Sequence, residues 1–171
     1  GACASSEDIR RIIPDTATTD MCPACEAQLY AAARAQHVSQ VIRPAVERGM
    51  LVLCDRFVDS SVAYQGGGRG LGVETVQQIN DPAVDGMTPD ATLYLAIDHR
   101  EALRRRLSAS EPDRLELEAG EFHERVQKAY ERLVRDNRRR FVVVDAARGV
   151  DEVARDALDA VLERLLPDRR A

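Results

Sequence analysis

The chain has 171 residues, 44% of them hydrophobic and 31% charged, and this balance predicts a single domain, residues 1–171, around one core. A net charge of −5 argues against a general nucleic-acid binder, which needs a surplus of Lys and Arg. The sequence contains no apolar run near the roughly 18 residues of a membrane span and no signal-peptide layout at its start. We therefore expect a cytoplasmic protein without a membrane partner.

The first third of the chain predicts two helices. A short apolar and basic helix is expected at residues 9–13, before Pro14, and a long helix at residues 24–48, where apolar residues keep helical spacing. Gly49 follows as a stop, and Pro44 is expected to kink the helix.

Cys22 and Cys25 have the CxxC spacing of a zinc knuckle or a redox pair. A structural zinc site needs a second ligand pair, but Cys3 and Cys54 are isolated and the three histidines are scattered. Ordinary cysteines at a helix start are the favoured interpretation. A zinc-dependent interaction module remains a third candidate function, and it predicts bound metal.

The stretch at residues 51–72 contains the most informative candidate binding residues of the sequence. Residues 51–54, LVLC, predict a strand buried on both faces, and it ends at the charged pair Asp55 and Arg56. Ligands bind at the carboxyl ends of parallel strands, so this Asp is placed to hold a metal ion and this Arg to bind an anion. The polar and glycine-rich residues up to 70 predict a binding loop, although glycine clusters are more often turns.

The remaining elements alternate between helices and strands. Strands are predicted at residues 92–97 and 141–144, each followed by an acid, Asp98 or Asp145, and Asp98 is expected to cap the next helix. Helices are predicted at residues 73–80, 118–140 and 151–165, and after Asp98. This order favours an α/β fold, a parallel sheet with its ligand cleft along the acidic edge.

Two segments carry a family resemblance. Residues 55–70, DRFVDSSVAYQGGGRG, closely resemble the signature of thymidylate kinases, which phosphorylate dTMP with ATP. Residues 26–37, EAQLYAAARAQH, are similar to the segment of that family in which an aromatic ring stacks on thymine and an Arg binds the nucleotide. Tyr30 stands where the family usually has Phe, a change that keeps the aromatic face.

The resemblance implies a set of substrate-binding residues. Tyr30 would stack on thymine, and Arg34 and Arg56 would hold the 5′-phosphate of dTMP, Arg56 also serving in catalysis. The pocket for base and sugar would be shaped by Ser61, Tyr64 and Gln65. Asp55 would organise Mg²⁺ or its water shell.

The resemblance also implies residues on the ATP side of the site, which contact ATP or the transferred phosphoryl group. Residues 103–116, LRRRLSASEPDRLE, look like the family's lid, which we place at about residues 104–118, with Arg105 and Arg114 as the expected catalytic arginines. Leu107 and Ala109 lie where some bacterial members carry arginine. Arg105 and Ala146 are expected to contact ATP.

One part of the implied fold is absent from the sequence. No G-x4-G-K-[ST] motif occurs in the 171 residues, and Lys128 is the only lysine. Gly1-Ala2 align with glycines about forty residues into the family sequence, so the resemblance implies a P-loop kinase-like parallel sheet flanked by helices, here without its first strand and P-loop. The chain is then either a fragment of an active kinase or a degenerate, non-catalytic dTMP-binding homologue.

The resemblance also implies a homodimer packed through helices such as that at residues 24–48.

Overall fold

The computed structural model describes residues 3–108 and 112–165. The predictions for Gly1-Ala2 and Ala109, and the middle of the expected lid, lie outside these ranges. The α-helices and strands are, in chain order, α1 (Ala4–Ile12), α2 (Pro23–His37), α3 (Arg43–Glu47), α4 (Val58–Ser61), α5 (Val73–Val84), β1 (Thr92–Ala96), α6 (His99–Leu107), α7 (Gly120–Asp136), β2 (Phe141–Asp145) and α8 (Val150–Leu165).

Strands β1 and β2 form a parallel pair, in a register that joins Thr92 to Phe141 and Ala96 to Asp145. Two of the three predicted strands are thereby confirmed, and both end at the same edge of the sheet. Burial on both faces is not found, since Leu95 and Val143 are each about half exposed. At the end of β1, Asp98 caps α6 as expected, because its Oδ1 accepts the backbone N–H groups at positions 100 and 101.

The prediction of a buried strand at residues 51–54 is wrong. This segment is without strand hydrogen bonds, and the side chains of Leu51 and Leu53 are 65% and 80% exposed. A strand needs a neighbour to accept its backbone groups, and in the described ranges only β1 and β2 pair. The segment nevertheless leads into Asp55 and Arg56 at the edge of a cavity.

The long predicted helix is continuous but changes its type before Pro44. Helix α2 runs into a π-helical segment, Val38–Ile42, which leads directly into α3. Proline cannot donate to the carbonyl four residues earlier and its ring crowds that carbonyl, so a wider turn accommodates it. The helix therefore changes its type just before Pro44, and the kink itself stays a prediction.

The predicted glycine-rich binding loop is instead helical. Helix α4 continues as a π-helical segment, Val62–Gly68, that packs against α7. A Cβ at Gly67 would lie 2.6 Å from the Cβ of Ala129, and one at Gly68 would lie 2.6 Å from Phe122. These two glycines therefore let two helices approach closely, and the prediction of a loop is corrected.

The main hydrophobic cluster lies beneath the π-helical segment that follows α4. It joins that segment to α5, α7 and the start of β2, through Val62, Ala63, Val76, Leu115, Phe122, Val126, Leu133 and Phe141. This packing holds the residues at 60–65 firmly against the rest of the chain. Within the described part of the chain, the helices are too short or too polar to cross a membrane.

Candidate active site

A cavity of about 530 Å³ lies between α2, residues 52–57 and the helical turn of α4. All six predicted substrate-binding residues and the predicted metal ligand line it, namely Tyr30, Arg34, Asp55, Arg56, Ser61, Tyr64 and Gln65. They come from three separate stretches of the chain, which the fold brings together.

Arg34 forms one wall of this cavity and is held by uncharged partners. Its Nη1 donates to Oδ1 of Asn80, and its Nη2 donates to Oγ of Ser61 at 2.8 Å and to the carbonyl of Phe57 at 3.3 Å. Burial lowers the pKa of Arg34 to about 10, still far above neutral pH. Among the described residues Arg34 has no carboxylate partner, and such a fixed guanidinium can attract an anionic ligand.

Arg56 stands at the mouth of the same cavity with an exposed side chain. Its guanidinium lies 5.5 Å from the ring centroid of Tyr64, a cation–π contact. Its backbone φ is +61°, a left-handed conformation that is uncommon for a residue with a side chain. In the described part of the chain this guanidinium has no carboxylate within ion-pair distance, so it remains available for a phosphate.

Tyr30 lies on α2 and packs partly against the main hydrophobic cluster. Burial raises its pKa above the ordinary value of 10.0, so the phenol is neutral at physiological pH. A neutral aromatic ring four residues before Arg34, on the same helix face, gives the cavity a flat surface beside a cation.

Gln65 is 1% exposed, and its Nε2 donates to Oε1 of Glu26 at 2.9 Å. Glu26 also accepts from Arg69 and from Arg114. Burial raises the pKa of Glu26, but hydrogen bonds from these three donors outweigh it, and the net pKa lies below the ordinary 4.5. The buried carboxylate is therefore ionised at neutral pH.

The residues predicted for the ATP side do not line this cavity. Arg105 and Ala146 do come together, since Nη1 of Arg105 donates to the Ala146 carbonyl at 2.9 Å. Arg105 is exposed and also pairs with Glu101 on its own helix. Arg114 does not join this contact. Its side chain is 13% exposed and pairs with Glu26 of α2.

Comparison with known proteins identifies the family. The sequence profile described as "Thymidylate kinase" matches residues 1–157. The chain belongs to the thymidylate kinase family. A "Thymidylate kinase" of Lactiplantibacillus plantarum is 48% identical over 94% of this chain and 73% of its own length. Those of Symbiobacterium thermophilum and Geobacillus thermodenitrificans are 46% and 45% identical over 99% of this chain and 78% and 76% of their own lengths.

Membership of the thymidylate kinase family confirms the predicted fold class. The family has a P-loop kinase fold, and this chain shows the α/β order, the parallel strand pair and the flanking helices of such a fold. The relatives also support a dTMP phosphotransferase function for the family to which the chain belongs.

The carboxylate of Asp55 is the one carboxylate among the described residues that line the cavity, so a Mg²⁺ ion there would have a single protein carboxylate. Asp55 is exposed at the cavity edge, and the described residues contain no group of three or more His, Cys, Asp or Glu side chains that could hold a metal. Mg²⁺ commonly uses one or two carboxylates together with water and substrate phosphates, so Asp55 fits this pattern. Cys22 and Cys25 are free, exposed thiols.

Several residues that shape the site carried no clear signal in the sequence. Asn80 holds Arg34 from α5, and Arg140 holds Asp59 from the residue before β2. These partners are 46 and 81 positions apart, so no local spacing could pair them. Glu26 was recognisable as part of the family segment, but its partners were not.

Proposed function

We propose that this chain is a dTMP kinase that transfers the γ-phosphoryl group of ATP to dTMP, giving dTDP. The observation that carries the proposal is the shared cavity, in which the ring of Tyr30 and the guanidiniums of Arg34 and Arg56 are combined. An aromatic face beside two cations matches the chemistry of a base joined to a phosphate.

On the substrate side, the ring of Tyr30 would stack on thymine, a contact worth roughly 1–3 kcal/mol. Arg56 would hold the 5′-phosphate because its guanidinium is exposed and unpaired by carboxylate, and Arg34 would assist from the cavity wall. Ser61 and Tyr64 would bound the space for the base and sugar.

Phosphoryl transfer to dTMP needs little acid–base chemistry, because the attacking oxygen belongs to an already ionised phosphate. Positioning and neutralisation of charge then carry the rate. Mg²⁺, when bound, supplies positive charge between phosphate oxygens, and Asp55 would hold it directly or through water. Arg105 would neutralise the migrating group more readily than Arg114, which would first have to leave the buried Glu26.

A second candidate function is a non-catalytic dTMP-binding protein. It is favoured by one specific observation, that the residues predicted to bind dTMP line one cavity, whereas Arg105, Arg114 and Ala146, predicted for ATP, do not line it. A protein of this kind would bind dTMP without transferring a phosphoryl group to it.

Two measurements test the proposal. A coupled assay with ATP, dTMP and Mg²⁺ is expected to show dTDP formation, and its absence under saturating substrates would contradict catalysis by this chain. Calorimetry with each nucleotide alone separates the two candidate functions, because dTMP binding without ATP binding supports the second function.

Sedimentation equilibrium tests the homodimer that family membership leads us to expect.

A further inference from the structure

Arg34 is stabilised differently from three other partly buried arginines of this chain. Arg69, Arg114 and Arg140, whose side chains are 13–22% exposed, each pair with a carboxylate. The three groups that accept hydrogen bonds from Arg34 are instead neutral, namely an amide, a hydroxyl and a main-chain carbonyl. Among residues 3–108 and 112–165, no carboxylate lies within ion-pair distance of Arg34, so the protein fixes this guanidinium without compensating its charge.

The amide that holds Arg34 belongs to Asn80, which lies on α5 and is 1% exposed. Its Nδ2 donates to the main-chain carbonyl of Val76 at 2.7 Å. A carbonyl oxygen accepts hydrogen bonds and cannot donate one, so this contact takes the NH₂ end of the amide. The Oδ1 atom is left to accept from Nη1 of Arg34. Because Asn80 is not among the described residues that line the cavity, it acts on a bound ligand through Arg34.

The neutrality of Asn80 has an electrostatic consequence for the cavity. A partly buried charge is costly when no opposite charge lies beside it, and burial lowers the pKa of Arg34 to about 10. A charged or strongly polar oxygen of a ligand would supply the missing partner through a charge-assisted hydrogen bond. A carboxylate at position 80 would supply that partner from within the protein and would compete with the ligand.

We propose that Asn80 is a positioning residue for dTMP binding, whose neutral amide fixes Arg34 and leaves its positive charge to an oxygen of the nucleotide. The inference rests on the proposed function, since it takes the cavity to hold dTMP. A purely structural role for Asn80 would make nucleotide affinity follow stability. The proposed role separates the two, because Asn80→Asp keeps the size of the side chain and an acceptor for Arg34 but cancels the charge.

The test is calorimetric titration of the 171-residue chain with dTMP, together with thermal unfolding. Asn80→Asp is expected to weaken dTMP binding at least about tenfold, since the charge-assisted contact of Arg34 is diverted to the new carboxylate. Its melting temperature is expected to stay within about 4 °C of the parent, because the new ion pair offsets the lost donation to Val76. A folded Asn80→Asp protein that binds dTMP within about twofold of the parent overturns the proposal.

Asn137 offers a matched control for the change from amide to carboxylate. Its Nδ2 donates to the main-chain carbonyl of Leu133 at 2.9 Å, four positions earlier, as Asn80 does to Val76. Asn137 is not among the described residues that line the cavity. We expect Asn137→Asp to bind dTMP within about twofold of the parent. Equal losses of affinity in Asn137→Asp and Asn80→Asp would overturn the proposal, because the effect would then be independent of Arg34.

A second variant, Asn80→Ala, guards against an Asn80→Asp protein that does not fold, since it buries no new charge. It removes one of the three groups that fix Arg34, and we expect dTMP binding to weaken about threefold to tenfold. In an Arg34→Met background the same change is expected to alter dTMP binding by less than about twofold, because the residue through which Asn80 acts is gone.

The double-mutant comparison also separates failure of this inference from failure of the proposed function. If Asn80→Ala binds dTMP as the parent does, or weakens binding equally with and without Arg34, the proposal for Asn80 is wrong while the proposed function stands. If the unaltered chain does not bind dTMP, the proposed function and this inference fail together.

Discussion

Arg140 holds Asp59 through a forked pair of hydrogen bonds, from Nη1 to Oδ2 and from Nη2 to Oδ1, both at 2.6 Å. The carboxylate side chain is 10% exposed, and Nη1 also reaches Oγ1 of Thr92. Asp59 lies on α4, one residue before Ser60, which lines the cavity. This pair thereby connects the helical wall of the cavity to the start of both strands.

Removal of this pair is expected to destabilise the protein. Arg140→Met leaves the Asp59 carboxylate buried and unpaired, and we expect the free energy of unfolding in urea to fall by about 2–3 kcal/mol, somewhat below the range for fully buried pairs because Arg140 is partly exposed. Arg139→Met is the matched control, since Arg139 is the exposed neighbour, and a change within about 0.5 kcal/mol is expected there. Equal losses in the two variants would show that the forked pair contributes nothing specific.

Arg56 is expected to dominate phosphate binding. Its exposed guanidinium at the cavity mouth would lose a bidentate, charge-assisted contact in Arg56→Met, so we expect kcat/KM for dTMP to fall about 100-fold or more. Arg56→Lys keeps the charge and loses the fork, and intermediate activity is expected. Arg48→Met, at an exposed arginine away from the cavity lining, is the control. An Arg56→Met protein as active as its parent would refute this role.

The sequence was most informative where chemistry and local spacing coincide. Tyr30 and Arg34 share a helix face, and Asp55 and Arg56 are adjacent, but their placement in one cavity was predicted from the resemblance of both stretches to thymidylate kinases. The strand predicted at residues 51–54 failed for a physical reason, because apolar composition indicates burial but does not supply the neighbouring strand. The partners of Glu26 depend on tertiary contacts across 39 to 88 positions, which no local pattern contains.

Tyr30 should contribute to dTMP binding through its ring and not through its hydroxyl. Tyr30→Phe keeps the stacking surface, and we expect dTMP affinity within about twofold of the parent. Tyr30→Leu removes the ring, and calorimetry is expected to show a loss of about 1–3 kcal/mol in binding. Because Tyr30 also packs against the core, urea unfolding of both variants controls for stability. An equal loss of affinity in the two variants would assign the contact to the hydroxyl.

Adding a methyl group at a closely packed glycine of the π-helical segment after α4 should overpack the core and destabilise the protein. In Gly68→Ala the added Cβ would meet Phe122 at 2.6 Å and Val126 at 2.7 Å, so a loss of about 1–3 kcal/mol in unfolding free energy is expected. Gly120→Ala is the control, because nothing lies within 4 Å of its Cβ position at the start of α7. There we expect no loss, or a gain of about 0.5–1 kcal/mol from better helix propensity. A neutral Gly68→Ala would show that the two helices separate easily.

Glu26 should link stability to pH. Its pKa is lower in the folded chain than the ordinary 4.5, so the folded state binds its proton less readily than the unfolded state does. The stabilisation is fully present above the unfolded value of about 4.5, and it is lost as pH falls through the lower folded value. Urea unfolding across this acid range is expected to show a steeper decline for the parent than for Glu26→Gln, which has no proton to bind there. Parallel curves would mean that Glu26 has the same proton affinity in both states, against the arrangement of Arg69 and Arg114 around it.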